Sequence, residues 1–239
     1  TYNGGIDTTG GGEGFGVGST VALNGTIATS NDIVALAAVT LGSATTIDTN
    51  ATNTTGDITI GAVTGGFNSL TLSTGDNVAN TDISASGAIS GVTNLTLSDV
   101  GGTAILSADV DVTTLTVGNT VANVAFTGNG SSVVNAVAFA NDGTLTLGQD
   151  GGTQTYGGGL TTTSVGSTVT LNGTIVTSDD LVSLGAVTLG SATTIDTNAM
   201  TIQISPPSTN GDITIGAITG GSNNLTLSTS NNIGGSDII

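Results

Sequence analysis

The chain has 239 residues with no Lys, Arg, His or Cys, and its 17 acidic groups give a formal net charge of −17. Without cationic side chains it cannot neutralise phosphates or anionic headgroups. This excludes nucleic-acid binding by the usual electrostatic route and membrane binding through basic residues. A catalytic His, a thiolate nucleophile and a zinc site built from His or Cys are excluded as well.

The rest of the composition favours β structure in an elongated body. Gly, Thr and Ser together provide 109 residues, and nearly all apolar residues are Val, Ile, Leu or Ala, which are typical of strands and their turns. Four Phe, two Tyr and no Trp are too few to fill the centre of a compact globule of this length. We therefore expect a thin aliphatic core that extends along the molecule.

The first residues lack the basic region and apolar run of a targeting segment. No stretch of the chain approaches the roughly 18 consecutive apolar residues of a membrane span. We expect no membrane insertion, and we interpret the chain as part of a longer polypeptide.

A long internal repeat organises the sequence. Residues 18–51 match residues 166–199 at an offset of 148, with 28 of 34 positions identical, and residues 56–83 match 211–238 at an offset of 155. The extra residues of the second copy lie around Pro206-Pro207, where we expect an exposed loop. We divide the chain into a first copy, residues 1–154, and a second, incomplete copy, residues 155–239. We expect the matching segments to superpose within one continuous body.

Apolar–Thr–apolar triplets recur along the chain, separated by turn-forming Gly, Asn, Asp and Ser. Their period-2 alternation predicts short strands with one apolar and one polar face. The triplets lie at residues 39–41, 58–60, 70–72, 95–97, 115–117 and 145–147. In the last three we expect inward-pointing Leu95, Leu97, Leu115, Val117, Leu145 and Leu147, and outward-pointing Thr96, Thr116 and Thr146.

Two all-β architectures can use such strands. In a parallel β-solenoid the chain coils, and each turn adds a strand about 4.8 Å from the last. In a tandem series of antiparallel β-sandwiches each copy is a separate domain, which the hairpin signal Asn24-Gly25 between two alternating runs favours. The scarcity of aromatic residues and the long, irregular intervals between triplets favour the solenoid.

The segments 56–60, 83–89 and 94–97 resemble the filamentous-haemagglutinin and autotransporter class of secreted bacterial β-solenoid proteins, and large repetitive surface adhesins in general. The resemblance implies a right-handed parallel β-helix. It also implies a secreted, cell-surface role in adhesion or in a surface layer, and it carries over no catalytic residues.

Two pairs of acidic residues are the candidate metal ligands. Asp109 and Asp111 lie on one face of a strand, and Asp179 and Asp180 are adjacent in the chain. Ca²⁺ takes six to eight oxygen ligands, and a divalent ion would relieve repulsion between carboxylates. The other interpretation is that Asp residues cap turns and keep the surface soluble. The sequence leaves both open and requires no cofactor.

Paired carboxylates also occur in glycoside hydrolases, but such sites enlist Arg, Lys or His, which this chain lacks. We therefore expect no enzymatic activity and no catalytic residue.

The expected function is an extracellular structural protein that forms a surface fibre, a surface layer or an adhesin stalk. The alternative is a Ca²⁺-dependent adhesin module that binds a glycan or another cell. Neither terminal segment resembles a solenoid cap, so we expect self-association or continuation by further repeats, strengthened by salt.

Overall fold

The computed structural model describes residues 4–9, 20–53, 55–75, 78–197, 211–229 and 236–239. These residues form short β-strands joined by turns, and this part of the chain contains no helix. The strands are β1 (Ile6–Asp7), β2 (Val21–Ala28), β3 (Val34–Leu36), β4 (Val39–Asp48), β5 (Ile58–Ile60), β6 (Val63–Thr64), β7 (Leu70–Ser73), β8 (Ile83–Ala85), β9 (Ile89–Ser98), β10 (Thr103–Leu106), β11 (Val110–Val117) and β12 (Asn123–Phe126). They continue with β13 (Ser132–Val133), β14 (Val137–Ala138), β15 (Leu145–Leu147), β16 (Thr153–Tyr156), β17 (Leu160–Thr161), β18 (Val169–Val176), β19 (Val182–Leu184), β20 (Val187–Asp196), β21 (Ile213–Ile215), β22 (Ile218–Thr219) and β23 (Leu225–Ser228).

The chain coils through three faces in a fixed order, and each strand pairs in parallel with strands on the same face one turn before and after. Face 1 contains β1, β3, β5, β8, β10, β12, β15, the first parts of β18 and β20, and β22. Face 2 contains the first parts of β2, β4, β9 and β11, then β6, β13, β16, the second parts of β18 and β20, and β23. Face 3 contains the second parts of β2, β4, β9 and β11, then β7, β14, β17, β19 and β21. The predicted parallel β-solenoid is confirmed, and the antiparallel sandwich is wrong.

The Asn-Gly pair that favoured a hairpin forms a corner of the solenoid instead. Strand β2 passes from face 2 to face 3 at Gly25, whose φ is 75°, and its register with β4 shifts between Leu23 and Gly25. Gly tolerates this left-handed conformation because it has no Cβ. The second copy repeats the corner at Gly173, where φ is 68°.

The apolar residues of the triplets fill the core as predicted. Leu70, Leu95 and Leu115 stack on one another in successive turns of face 3. Each buried aliphatic side chain contributes about 1.5–3 kcal/mol through removal of its surface from water. The six predicted inward residues, Leu95, Leu97, Leu115, Val117, Leu145 and Leu147, are at most 5% exposed. The three predicted outward residues, Thr96, Thr116 and Thr146, are partly or fully exposed.

Three buried aromatic rings pack together in two successive turns of the core. The Phe126 ring lies 6.4 Å, between centroids, from both Phe139 and Tyr156. The Tyr156 hydroxyl donates to Gln154 Oε1 at 2.9 Å, and Gln154 Nε2 donates to the Phe126 carbonyl at 2.8 Å. Burial raises the pKa of Tyr156, so the phenol stays protonated as a donor. Every polar atom of this buried pair therefore has a partner, as burial requires.

Thr has a second role inside corners of the solenoid, where its side chain is buried. Thr49 Oγ1 donates to the Gly56 carbonyl at 2.5 Å, and Thr197 Oγ1 donates to the Gly211 carbonyl at 2.6 Å. Thr74 Oγ1 donates to the carbonyl of Asp99 at 2.8 Å. These side chains are buried, so they satisfy turn carbonyls that water cannot reach.

The two copies share their strands. Strands β2, β3 and β4 have the same bounds as β18, β19 and β20 at the offset of 148, and β5, β6 and β7 match β21, β22 and β23 at the offset of 155. The pairing of β2 with β4 also repeats in β18 and β20, residue for residue. These segments thus share strand bounds and pairing, whereas the Pro206-Pro207 insertion lies outside the described residues.

Equivalent strands nevertheless lie on different faces in the two copies. Val34 of β3 stacks on face 1, whereas the equivalent Val182 of β19 stacks on face 3. From β2 to β18 the chain advances by twenty faces, and three faces make one turn. One copy therefore makes six and two-thirds turns, and each copy is rotated by a third of a turn relative to the one before.

We expect Thr49→Val to destabilise the chain by about 1–3 kcal/mol, because the buried Gly56 carbonyl loses its hydroxyl donor. The matched control is Thr46→Val in the preceding strand β4. The Thr46 side chain points outward, so its replacement should change stability by about 0.5 kcal/mol or less. Guanidinium denaturation of the two variants measures the difference. Equal stabilities would contradict the assigned role of the corner Thr.

Candidate functional site

The first predicted acidic pair lies on the outer surface of face 2. Asp109 precedes β11 and Asp111 is its second residue, so both side chains point outward. Asp109 Oδ1 accepts the backbone N–H of Gly130, one turn on, at 2.7 Å. Partial desolvation, and then the nearby carboxylate of Asp109, raise the pKa of Asp111. A backbone hydrogen bond from Ser132 opposes this by lowering the pKa. The two carboxylates thus lie near each other, although Asp109 is outside the strand.

The second acidic pair occupies a turn between β18 and β19. Asp179 has a left-handed φ of 59°, and its N–H donates to the Thr197 carbonyl at 2.8 Å. Thr177 braces the turn, because its Oγ1 donates to the Asp180 carbonyl at 2.7 Å. Partial burial, and then the neighbouring Asp179, raise the pKa of Asp180. This geometry is that of an ordered turn.

The two pairs lie in different turns and do not join into one site. In the described ranges, no three acidic side chains are grouped closely enough to hold a metal ion. Several other carboxylates link neighbouring turns: Asp57 Oδ1 accepts the N–H of Asp82 at 2.9 Å, and Asp82 Oδ1 accepts that of Thr103 at 2.6 Å. Asp212 Oδ1 accepts the N–H of Asp237 in the same way at 2.8 Å. These hydrogen bonds support the structural interpretation of such acidic residues.

A groove at the corner between faces 2 and 3 was missed from the sequence. We call it the corner groove, and its volume is about 290 Å³. Phe67 and Val134 stand out from its two ends, with 88% and 60% of their surface exposed. Between them lie Gly91 and the first acidic pair's Asp111. Its other polar lining groups are Thr113 and Ser132.

Phe67 is held firmly by its backbone although its ring is exposed. Its φ is 63°, its N–H donates to the Gly91 carbonyl at 2.7 Å, and its own carbonyl accepts the Thr93 hydroxyl at 2.7 Å. The second copy has Ser222 at the equivalent turn. That difference between otherwise similar copies is the sequence signal that could have identified the groove.

Comparison with known proteins gives no family: no family model, no curated protein and no solved structure matches the chain. The resemblance to secreted β-solenoid proteins therefore stays a prediction. Among the residues described, no helix is long and apolar enough to cross a membrane. Function is accordingly inferred from the fold and its surface.

We expect Asp111→Asn to stabilise the chain at pH 7 by up to about 0.5 kcal/mol, the usual range for surface substitutions. The folded pKa of Asp111 lies above its ordinary value of 3.8, so the folded chain binds this proton more tightly than the unfolded chain. The resulting stability is fully present below pH 3.8 and is lost as the pH rises through the raised pKa. The gain from Asn should therefore vanish at pH 3.

Asp7→Asn provides the control of opposite sign. The Thr9 hydroxyl and backbone N–H, at 2.6 and 2.7 Å, hold the pKa of Asp7 below its ordinary value. Its ionised form therefore stabilises the fold above pH 3.8, and Asp7→Asn should lower stability at pH 7 but not at acid pH. Thermal unfolding from pH 3 to 7 measures both variants, and parallel curves for the two would contradict these assignments.

Proposed function

We propose that this chain is part of a non-enzymatic, extracellular structural protein, a rod that builds a surface fibre, surface layer or adhesin stalk from tandem β repeats. The observation that carries the proposal is that the hydrogen-bonded ladders continue from one copy into the next. The backbone N–H of Leu145 in the first copy donates to the Thr168 carbonyl of the second at 2.9 Å. The backbone N–H of Thr174 in the second copy donates to the Gly152 carbonyl of the first at 2.8 Å. An added repeat therefore lengthens one body and does not start a separate domain.

The turn count gives the length that each repeat adds. Neighbouring parallel strands are about 4.8 Å apart, so six and two-thirds turns extend the rod by about 32 Å. The inward side chains on all three faces are apolar, so added turns bury the same kind of surface. Length is thus set by copy number, which suits a stalk or fibre.

The surface chemistry suits an exposed extracellular position. The chain offers trypsin-like proteases no Lys or Arg to cleave after, and the stacked strands satisfy the interior backbone groups. Its acidic surface keeps separate rods apart at low ionic strength, and salt screens that repulsion.

We expect a variant with one added 154-residue copy to be about 32 Å longer than the 239-residue chain, with an unchanged cross-section. Small-angle scattering measures both dimensions. A thicker particle, or beads joined by linkers, would contradict the rod.

Location is tested separately on the cells that produce the protein. An antibody against the chain should label intact, unpermeabilised cells, and electron microscopy should place the label on a surface fibre or layer. An antibody against a cytoplasmic protein is the control. Label that enters only after permeabilisation would contradict the extracellular proposal and leave the rod geometry unaffected.

A further inference from the structure

We propose that the corner groove binds a basic side chain, an arginine or lysine, presented by a partner protein. The proposal goes beyond the structural role of the rod and does not depend on it.

The groove is built by neighbouring turns and runs along the solenoid axis. Phe67 lies in the turn between β6 and β7 and donates to the Gly91 carbonyl of the next turn at 2.7 Å. Asp111 and Thr113 belong to the turn after that, and Val134 follows β13 one turn further on. Three steps of about 4.8 Å separate Phe67 from Val134, so the groove is about 14 Å long. Such a length accommodates an extended Arg or Lys side chain with part of its backbone.

Phe67 is not part of the apolar core. Its ring is 88% exposed and lies on the surface, outside the core. Its left-handed φ of 63° is unfavourable for a bulky residue, and the equivalent turn of the second copy has Ser222. An exposed aromatic ring on a constrained backbone is typical of a binding surface.

The charge of the groove selects a cation. Asp111 is its ionisable lining group, the Asp109 carboxylate is close by, and the chain has no Lys or Arg to offset either. Anionic ligands are therefore repelled, and cations are attracted by the net charge of −17.

The lining groups match the parts of a basic side chain. A guanidinium or ammonium group stacks on the face of an aromatic ring such as Phe67, and pairs with a carboxylate such as Asp111. The hydroxyls of Thr113 and Ser132 can accept further N–H groups. The apolar stem of the ligand then packs along Val134.

A second copy of this chain fits the groove less well. Each copy carries a net charge of −17 and no basic side chain, so the surface brought to Asp111 would be acidic or neutral. A neutral ligand such as a saccharide would leave the carboxylate without a counter-charge. Both occupants are outcomes that the following test distinguishes.

The test is an NMR titration of the full chain with a blocked pentapeptide that carries two arginines. The control peptide has citrulline in place of both arginines, which keeps the shape and removes the charge. We expect the arginine peptide to shift the signals of Phe67, Gly91 and Thr113, with an affinity that falls as salt is raised. The citrulline peptide should not bind.

Three variants separate the groove from the general acidity of the chain. Phe67→Ser leaves the net charge unchanged and should weaken binding about two- to five-fold, the range expected from loss of an exposed cation–π contact. Asp111→Asn should weaken binding further. Asp150→Asn removes the same single charge from an exposed turn outside the groove and should leave the affinity within about twofold.

Several results would overturn the proposal. One is equal weakening by Asp150→Asn and Asp111→Asn, which would mean that only net charge attracts the peptide. Another is binding of the citrulline peptide, or of cellobiose as a neutral saccharide probe, as strong as that of the arginine peptide. A Phe67-dependent dimer in sedimentation experiments would assign the groove to a second copy.

Discussion

The hydrogen bond between parallel strands of successive turns is the interaction on which the rest of this structure depends. It fixes each turn in register with its neighbours, so an inward Leu95 must stack between Leu70 and Leu115. The same register sends alternate residues outward, where Thr and Asp meet water. This parallel stacking of turns produces the thin aliphatic core and the polar surface. It also makes the two copies continuous with each other.

The sequence predicted this architecture where local pattern and long-range stacking agree, as in the triplet 95–97. At Gly25 the sequence pattern indicated a hairpin, but the structure has a solenoid corner. Hairpins and solenoid corners both need a residue that tolerates positive φ, so the pattern does not distinguish them. The sequence also did not show that Thr49 and Thr46 differ in environment. Thr49 is buried inside a corner, whereas Thr46 points outward from its strand. The corner groove joins Phe67 to residues one to three turns away, and no local pattern reports which turns become neighbours.

The rotation between copies was also invisible in the sequence. An offset of 148 residues states that the copies are similar, but the number of turns that they make depends on how many residues each corner uses. All three faces have apolar inward columns. A repeat that spans twenty faces therefore stacks as well as one that spans twenty-one, which would be seven whole turns. In a longer tandem, equivalent surfaces of successive copies would point in three directions around the rod and return to phase after three copies. A partner could then reach equivalent surfaces from any side.

Disulfide cross-linking tests the three-faced register most directly, since the chain has no Cys of its own. Thr161 and Ser183 are direct neighbours on face 3, about 4.8 Å apart, which is within disulfide range. The double variant Thr161→Cys, Ser183→Cys should therefore oxidise readily to an intramolecular disulfide. Thr170→Cys with Ser183→Cys should not, because Thr170 lies on face 1. Cross-linking of the second pair but not of the first would contradict the solenoid register described here.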